Sequence, residues 1–361
     1  MQRIRLKLKG ETDRSYDVLV GLGILGDLHT NIKRLGDFTG YALVTDERVK
    51  PLVAEPLQAQ LKSHGIDPVL LTFPGGEPAK TMETITDLCQ RLVDHGFDRK
   101  SLLMAVGGGV VGDITGFAAA IFLRGIRYVQ IPTTLLAQVD SSIGGKTGVD
   151  LSSGKNLLGA FHQPLLVVID PKVLATLPLA ARLEGFAEVI KAALIADPEL
   201  FAILDREGPG ALEVGNPLLE TVIVKACEVK CRVVSRDEHE AGLRRILNFG
   251  HTLGHAVEAA SRYDISHGLA VAAGMGVGIR FSRQWGGLSE DEAARALSLI
   301  RKFDLPTEIP ADLDSETLLD AMERDKKIQA GICHFVLLKR IGEPVIRPIP
   351  VEELRRSLGT L

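Results

Sequence analysis

Short apolar runs alternate with amphipathic stretches through the first half of the chain. The runs are rich in Val, Ile, Leu and Tyr and end at Gly, Pro or Asp, which is typical of strands. The stretches between them, such as residues 81–95, have the apolar spacing of helices. Strands that alternate with helices predict a mostly parallel sheet in an α/β domain. The predicted strands are 41–45, 69–73, 101–106, 128–131 and 165–169, preceded by one around Ile4, Leu6 and Leu8.

The pattern changes after about residue 175. Helical spacing continues over residues 179–305, and Asn216 followed by Pro217 has the cap and first-turn residues of a helix start. Residues 332–338 alone have the pattern of a later strand. We therefore predict two domains, an α/β domain over residues 1–175 and a mainly α-helical domain over residues 176–361.

The composition, 45% hydrophobic and 24% charged residues, is typical of a globular protein. The length of 361 residues exceeds one ordinary domain, which agrees with two domains. The formal net charge of −4 argues against sequence-independent nucleic-acid binding, which needs a basic excess. No apolar run approaches the roughly 18 residues that span a bilayer, so we expect no membrane partner. Four cysteines in a chain of this length do not form a disulfide framework, which predicts a cytoplasmic protein. Cys227 and Cys231 are interpreted as packing residues.

Three consecutive glycines, Gly107-Gly108-Gly109, follow the strand at 101–106 and precede a helix that contains Gly112, Asp113 and Gly116. Without Cβ atoms, backbone N–H groups can approach a phosphate closely, and a helix N-terminus favours negative charge. This arrangement favours a phosphate-bearing nucleotide over a turn without a ligand, and the spacing of Gly112 and Gly116 indicates close helix packing. Asp46, after an earlier strand, suits a ribose hydroxyl, although by itself it is better explained as an ordinary turn residue.

Histidines concentrate between residues 239 and 267. His251 and His255 are four residues apart and share a helix face, and His267 opens the next predicted helix. Imidazoles that converge from two helices indicate a divalent-metal site, although a pair of surface histidines is the simpler alternative for His251 and His255 alone. A third ligand must come from elsewhere. The best candidate is Glu188, which needs a partner if it is buried, as does Lys191 on the same helix face.

Several basic residues lie in glycine-rich or histidine-adjacent contexts. The stretch from Asp140 to Gly148 resembles a glycine-supported hairpin that presents Asp140 and Lys146. A single lysine is most simply a solvated surface charge, but a group of them favours a small, strongly anionic substrate. The other members of this group are Lys155, Lys225, Lys230, Arg244, Arg245, Lys326 and Lys327.

These motifs together resemble the 3-dehydroquinate synthase family over nearly the whole chain. The resemblance is carried by Gly107-Gly-Gly-Val-Val-Gly112-Asp113, Pro132-Thr-Thr, Asp140-Ser-Ser-Ile-Gly-Gly-Lys146-Thr, Gly154-Lys155-Asn156, Ala187-Glu188-Val-Ile-Lys191, Asn248-Phe-Gly-His251-Thr-Leu-Gly-His255 and His267-Gly268. It implies a Rossmann-like NAD domain followed by a helical metal-binding domain. It also implies a lyase that converts 3-deoxy-D-arabino-heptulosonate 7-phosphate (DAHP) to 3-dehydroquinate and phosphate, with NAD and Zn²⁺ or Co²⁺ as cofactors.

The resemblance further implies individual roles. The metal ligands would be Glu188, His251 and His267. His255 would instead transfer protons, and Arg124 would reach the substrate from the partner subunit of a homodimer. The substrate pocket would include Asp140, Lys146, Asn156, Lys191, Lys230, Arg244, Asn248 and Lys326. The NAD contacts would be Asp46, Glu77, Lys80, Gly108, Gly109, Asp113, Thr133, Thr134, Lys146, Lys155, Thr176 and Leu177.

Three other functions fit part of the pattern. A metal-dependent polyol dehydrogenase of the glycerol type also combines a glycine-rich NAD turn with a helical metal domain, but it needs no ring of cations. A related sugar phosphate cyclase would differ around the substrate pocket. A non-enzymatic nucleotide sensor would have no use for an acid–base residue beside a metal triad.

Overall fold

The apolar runs of the first half form strands in the computed structural model, which describes residues 1–7, 13–313, 315–323, 328–329 and 331–359. Leu8 lies outside these residues. The strands are β1 (Gln2–Leu6), β2 (Tyr16–Val20), β3 (Tyr41–Asp46), β4 (Val69–Phe73), β5 (Leu102–Gly107), β6 (Arg127–Pro132), β7 (Lys146–Leu151), β8 (Gly154–Phe161) and β9 (Leu166–Ile169). Seven of them form one sheet in the order β1-β2-β9-β6-β5-β3-β4, while β7 and β8 form a separate antiparallel hairpin. Every neighbouring pair in the large sheet is parallel except β1 and β2, so the predicted mostly parallel sheet is confirmed.

Helices cover both faces of the large sheet, because a parallel sheet is buried on both sides. Strand β5 is buried along its whole length. Leu103 and Ala105 of β5 belong to an apolar cluster with the two helices that follow β4 and β5. Met104 and Val106 belong to a second apolar cluster, with the helices that follow β2 and β3. The predicted Rossmann-like layering is therefore present. These helices are α1 (Leu28–Arg34), α2 (Glu55–Ser63), α3 (Met82–Asp94) and α4 (Gly109–Ile121).

Two glycines allow α4 to approach its neighbours. A Cβ on Gly116 would lie 2.4 Å from Cγ2 of Thr147 in β7, and a Cβ on Gly112 would lie 2.7 Å from Oε1 of Gln130 in β6. Real Cβ contacts are not that short, so any larger residue would push α4 away from these strands. The prediction that Gly112 and Gly116 permit close packing is confirmed.

The second half of the chain is mainly helical, as predicted. Its helices are α5 (Leu179–Ala196), α6 (Pro198–Glu207), α7 (Pro217–Arg236), α8 (His251–Ala260), α9 (His267–Phe281), α10 (Glu290–Lys302), α11 (Ser315–Glu323) and α12 (Val351–Leu358). Helix α7 begins at the predicted Pro217, where Oδ1 of Asn216 accepts a hydrogen bond from the N–H of Leu218 at 2.9 Å. Among the described helices, none combines the length and apolarity that a bilayer crossing would need.

A small antiparallel sheet lies near the C-terminus, and the sequence indicated only part of it. Its strands, in order, are β10 (Ile328–Gln329), β11 (Ile332–Arg340) and β12 (Glu343–Pro350). The predicted strand at 332–338 corresponds to β11, whereas β12 was missed. Three prolines, Pro344, Pro348 and Pro350, mask its strand pattern, and they are tolerated because β12 has β11 on one side only within the described sheet.

The described residues divide into two compact units. The first contains Met1–Pro178 and Leu219–His239, and the second contains Leu179–Leu218 and Glu240–Leu361. This division differs from a single boundary near residue 175, because most of α7 belongs to the first unit. Within that unit the Cys227 thiol on α7 donates a hydrogen bond to the Gln138 carbonyl at 3.3 Å. Helical spacing reveals that α7 has a buried face, but not which element covers it.

Candidate functional site

The predicted nucleotide-binding residues of the first unit lie at the carboxyl edge of the large sheet. The chain runs outward from β3 to β4 and then returns to β5 on the other side of β3. Such a switch point is the usual ligand position in open α/β sheets. At this edge the Thr133 N–H donates to the Gly107 carbonyl at 2.9 Å, and a Cβ on Gly108 would lie 3.1 Å from Cγ2 of Thr134. Helix α4 starts at Gly109, so its first N–H groups and the preceding glycines fit a dinucleotide pyrophosphate.

A buried ion pair lies beside this turn. The Lys80 ammonium, 5% exposed, lies 2.6 Å from Oδ2 of Asp113 and also donates to Oδ1 of Asn156. Burial lowers the pKa of Lys80, but the charge of Asp113 and its hydrogen bond outweigh that effect and raise the pKa overall. Glu77 lies in the same cluster, where burial raises its pKa. The structure therefore brings together three predicted NAD residues and one predicted substrate residue, Asn156.

Other predicted NAD residues hold the turns around the sheet edge. Oδ1 of Asp46, at the end of β3, accepts hydrogen bonds from the N–H groups of Arg48 and Val49 at 2.8 and 2.9 Å. Oγ1 of Thr134 accepts from Ala137 at 3.1 Å. The Thr176 hydroxyl donates to the Val173 carbonyl at 2.9 Å, and Leu177 directly follows. Each contact is a local turn contact, so the roles of these residues toward NAD stay predictions.

The first unit also pairs two predicted substrate residues. Lys230 on α7 is buried, and its ammonium donates to the backbone carbonyl of Asp140 at 2.7 Å and contacts the Asp140 carboxylate. The remaining predicted residues of this unit are more open. Lys146 and Arg124 are exposed, and Lys155 is partly exposed near Glu77.

The candidate metal site of the second unit is built by α5, α8 and α9. Glycines allow these helices to approach closely, as a Cβ on Gly268 would lie 2.4 Å from the Glu184 carbonyl of α5. A Cβ on Gly274 of α9 would lie 2.1 Å from the Gly250 carbonyl, just before α8. Only glycine fits such backbone contacts, and they bring the first turns of α8 and α9 to the middle of α5.

Glu188, His251 and His267 converge at this meeting point. Nε2 of His251 lies 3.4 Å from Oε1 of Glu188, and Nε2 of His267 lies 3.8 Å from the same oxygen. One ligand atom from each of the three residues lies within 4.8 Å of the others. Glu188 is 2% exposed and His251 is 8% exposed. The predicted ligands are therefore brought together in one cluster, in which Glu188 and His251 are buried and His267 is partly exposed.

The hydrogen bonds of this cluster fit a divalent cation. Both carboxylate oxygens of Glu188 are buried; Oε2 contacts the Lys191 ammonium, and Oε1 accepts no hydrogen bond from the described part of the chain. Nδ1 of His251 lies 3.2 Å from the Phe249 carbonyl, and Nδ1 of His267 lies 3.0 Å from Oε2 of Glu258. If each Nδ1 carries the proton, each Nε2 has a lone pair directed at the Glu188 side. Two imidazoles and one carboxylate are a typical catalytic zinc ligand set, so the residues fit Zn²⁺ or Co²⁺.

Opposing effects act on His267. Burial lowers the pKa of His267, but the hydrogen bond and charge of Glu258, together with the charge of Glu188, raise it above the ordinary histidine value. His267 therefore lies beside two carboxylates, those of Glu258 and Glu188, and such a site also suits a cation.

His255 lies beside the cluster without belonging to its buried triad. Its ring centroid is 5.4 Å from that of His251 and 6.0 Å from that of His267. It is more exposed than His251. Its position is compatible with the predicted proton-transfer role, which stays a prediction.

The remaining predicted residues of the second unit precede α8. Arg244 is 2% exposed, and the Asn248 side-chain amide donates to Oε1 of Glu240 at 2.6 Å. Lys326 lies outside the described residues. Sequence reasoning missed Glu240 and Glu258. Glu258 lies one turn beyond His255 on the same helix, but this spacing does not indicate its contact with His267.

The buried thiols of Cys227 and Cys231 have no place in this chemistry. Burial raises the pKa of Cys227 well above its usual value and that of Cys231 to about 12. Thiols in this state are poor nucleophiles and poor metal ligands, which supports their interpretation as packing residues.

The fold defines the class of protein, because solved sugar phosphate cyclases share it. A 2-deoxy-scyllo-inosose synthase complexed with carbaglucose-6-phosphate, NAD⁺ and Co²⁺ is 27% identical, with a TM-score of 0.89 and 99% of each chain covered. The 2-epi-5-epi-valiolone synthase of Streptomyces hygroscopicus subsp. jinggangensis 5008, with NAD⁺ and Zn²⁺ bound, is 32% identical, with a TM-score of 0.88 and 98% of each chain covered. The predicted fold class is therefore confirmed.

Sequence comparison gives the family. The family models for the 3-dehydroquinate synthase N-terminal and C-terminal regions match residues 70–183 and 185–328. The 3-dehydroquinate synthase of Pelobacter propionicus is 43% identical over 96% of this chain and 97% of its own. That of Symbiobacterium thermophilum is 44% identical over 97% of this chain and 98% of its own. The chain belongs to the 3-dehydroquinate synthase family, a family of lyases.

Proposed function

We propose that the protein converts DAHP to 3-dehydroquinate and phosphate, as an NAD- and metal-dependent carbon–oxygen lyase. The observation that carries this proposal is the convergence of Glu188, His251 and His267 in a chain of this family. The glycine turn at the carboxyl edge of the sheet supports the NAD requirement. The substrate class, a small sugar phosphate, agrees with the family.

The reaction divides between the cofactors and the residues of the chain. When bound, NAD supplies a reversible hydride acceptor and Zn²⁺ or Co²⁺ supplies a Lewis acid that polarises a substrate oxygen. NAD, held at the turn of Gly108, Gly109 and Asp113, would supply a temporary oxidation at carbon 5, where the carbon gives up a hydride and its hydroxyl gives up a proton to a base. The resulting ketone would acidify the neighbouring proton, so that phosphate could leave by β-elimination. Return of the hydride, ring opening and an intramolecular aldol step would then close the carbocycle.

The basic residues bind and orient the substrate. Lys146, Lys230 and Arg244 would hold the carboxylate and phosphate, so that binding energy from these remote groups orients the reacting carbons. The contact with Asp140 keeps the Lys230 ammonium in one position, which supports an orienting role. Buried Arg244 keeps its charge at any physiological pH, because guanidinium groups do not lose their proton.

His255 would move protons during elimination and ring closure. Imidazole changes charge near neutral pH, so it can both accept and return a proton. The departing phosphate dianion can itself accept the proton of the elimination step, which lowers the demand on protein bases. Lys191, which contacts the Glu188 carboxylate, would bind the substrate beside the metal ligands.

The decisive experiment follows phosphate release and nicotinamide absorbance together in one cuvette. With DAHP, NAD and Zn²⁺, we expect one phosphate per DAHP and no net NADH, because the borrowed hydride is returned. Stoichiometric NADH from a polyol without phosphate release would identify a dehydrogenase instead. Turnover of another sugar phosphate, with DAHP inert, would identify a related cyclase.

We also propose that the protein works as a homodimer in which Arg124 of one protomer reaches the substrate of the other. Leu123 and Arg124 have positive φ angles of 50° and 67°, a strained conformation for residues with side chains. Apolar side chains that are 38–43% exposed lie at this turn, Ile121 and Leu123, and on β8, Leu158 and Phe161. Exposed apolar side chains and an open strand edge are common where subunits meet, which supports this proposal.

Complementation tests the dimer. Arg124→Ala and His251→Ala should each be inactive alone, since each removes one part of every site. After mixing and refolding, hybrid dimers contain one site with both Arg124 and the complete metal cluster, so about a quarter of the wild-type activity should return. Two inactive variants that stay inactive after verified hybrid formation would contradict an Arg124 supplied by the partner.

The cytoplasm is the proposed location of the protein. None of the four cysteines, Cys89, Cys227, Cys231 and Cys333, forms a disulfide, which suits a reducing compartment.

A further inference from the structure

We propose that Glu258 is a positioning residue for the metal site: it fixes His267 in the one tautomer and orientation that offers Nε2 to the metal. The inference rests on the proposed metal-dependent function and adds a residue to it. Glu258 was not among the residues predicted from the sequence, and it is not a member of the Glu188, His251 and His267 cluster.

The first observation is the contact itself. Oε2 of Glu258 lies 3.0 Å from Nδ1 of His267, which is hydrogen-bond distance. Glu258 is 4% exposed, and its helix α8 also carries His251. Packing on every side therefore holds the carboxylate in place, as a residue that orients another must be held.

The second observation is that Glu258 occupies an unfavourable position. It lies in the last turn of α8, where the helix dipole disfavours negative charge. Glu184 is a second carboxylate nearby: burial raises its pKa, Ser266 and His267 lower it, and the charge of Glu258 contributes a smaller increase. A buried carboxylate near a helix C-terminus and a second acid costs stability, unless a partner compensates it. His267 is that partner.

The third observation concerns the two nitrogens of His267. Because a carboxylate accepts a hydrogen bond only from a protonated nitrogen, the contact with Glu258 places a proton on Nδ1. Nε2 then keeps its lone pair and faces Oε1 of Glu188 at 3.8 Å. His251 obtains the same tautomer from a backbone carbonyl, that of Phe249. His267 has an exposed side-chain fraction of 30%, against 10% for His251, so it has more need of a fixed partner.

One rival assignment uses the same atoms. His255, Glu258 and His267 also have ligand atoms within 4.8 Å of one another, so Glu258 could bind a cation directly. The two roles exclude each other, because Nδ1 of His267 cannot donate a proton to Glu258 and ligate a metal at the same time. A glutamine at position 258 separates them: its amide oxygen still accepts the hydrogen bond, but it is a poor ligand for Zn²⁺.

The experiment measures Zn²⁺ affinity of the full-length protein by competition with a chromophoric chelator, in the absence of substrate. Glu258→Met removes the acceptor at similar volume, and Glu258→Gln retains it. We expect Glu258→Met to bind Zn²⁺ roughly 10–100-fold more weakly than wild type, and Glu258→Gln to stay within about fivefold. The visible spectrum of the Co²⁺-loaded protein should change in Glu258→Met and be retained in Glu258→Gln. Glu308→Ala, which removes an exposed carboxylate of the same unit, should match wild type.

Either of two results overturns the proposal. Glu258→Met with wild-type affinity and an unchanged Co²⁺ spectrum removes the positioning role, and Glu258→Gln as weak as Glu258→Met assigns Glu258 as a ligand. If Glu258→Met does not fold, ¹⁵N NMR of the metal-free wild type decides: His267 protonated on Nδ1 supports the proposal, and His267 protonated on Nε2 contradicts it. Absence of DAHP turnover in the wild type would instead count against the proposed function and leave the affinity comparison intact.

Discussion

His267→Ala should bind less than about a tenth of the zinc held by the wild type, and its kcat/KM should fall by at least ~10³-fold. The variant removes one of three ligands, and the remaining pair, Glu188 and His251, cannot complete a catalytic zinc site. It also removes the contact between Nδ1 of His267 and the buried Glu258 carboxylate. Metal content is measured by atomic emission after dialysis, and kcat/KM by phosphate release.

His334→Ala is the matched control, because it removes a histidine of the same unit whose residue is exposed on β11. Its zinc content and rate should equal those of the wild type. Full activity in zinc-free His267→Ala would contradict the ligand role of His267, and with it the assignment of the cluster.

Lys80→Met should destabilise the first unit by up to about 3–5 kcal/mol, since it removes the charge that compensates the Asp113 carboxylate, whose side chain is only 18% exposed. The contact to Asn156 is lost as well, which loosens the end of the β7–β8 hairpin. Urea unfolding, followed by circular dichroism at pH 7, measures the loss as a shift of the midpoint.

Two further variants show whether burial is the cause. Lys80→Met combined with Asp113→Leu removes both charges and should recover most of the lost stability. Lys62→Met breaks an exposed ion pair with Asp67, whose side chains are 50% and 78% exposed, and should cost at most about 1 kcal/mol. Equal losses in Lys80→Met and Lys62→Met would contradict the importance of burial.

The sheet of the first unit could be predicted because each central strand is a continuous apolar run that ends at glycine, proline or a polar residue. Strands β3, β5 and β6 match their predicted positions within a residue or so at either end. The sequence does not predict which unit helix α7 belongs to. Its amphipathic pattern indicates that one face of the helix is buried, but not which other element covers that face. Strand β12 was hidden by prolines that an edge position tolerates.

The metal cluster could be predicted only in part. Spacing alone gives His251 and His255 the same helix face and cannot say which of them meets His267; that distinction came from family resemblance. The approach of α5, which supplies Glu188, depends on backbone contacts at Gly268 that no periodicity encodes. Glu258 has no motif of its own, since its role follows from one contact with a residue of the next helix.

The interleaved order of the two units has a consequence for synthesis on the ribosome. The first unit needs residues 219–239, so it cannot be complete until residue 239 has left the exit tunnel. A gene fragment that stops at residue 178 would lack α7 and leave the apolar surfaces that this helix covers open to water. Such fragments should aggregate. Because each unit consists of two separate segments, no single truncation point should yield either unit as a folded fragment.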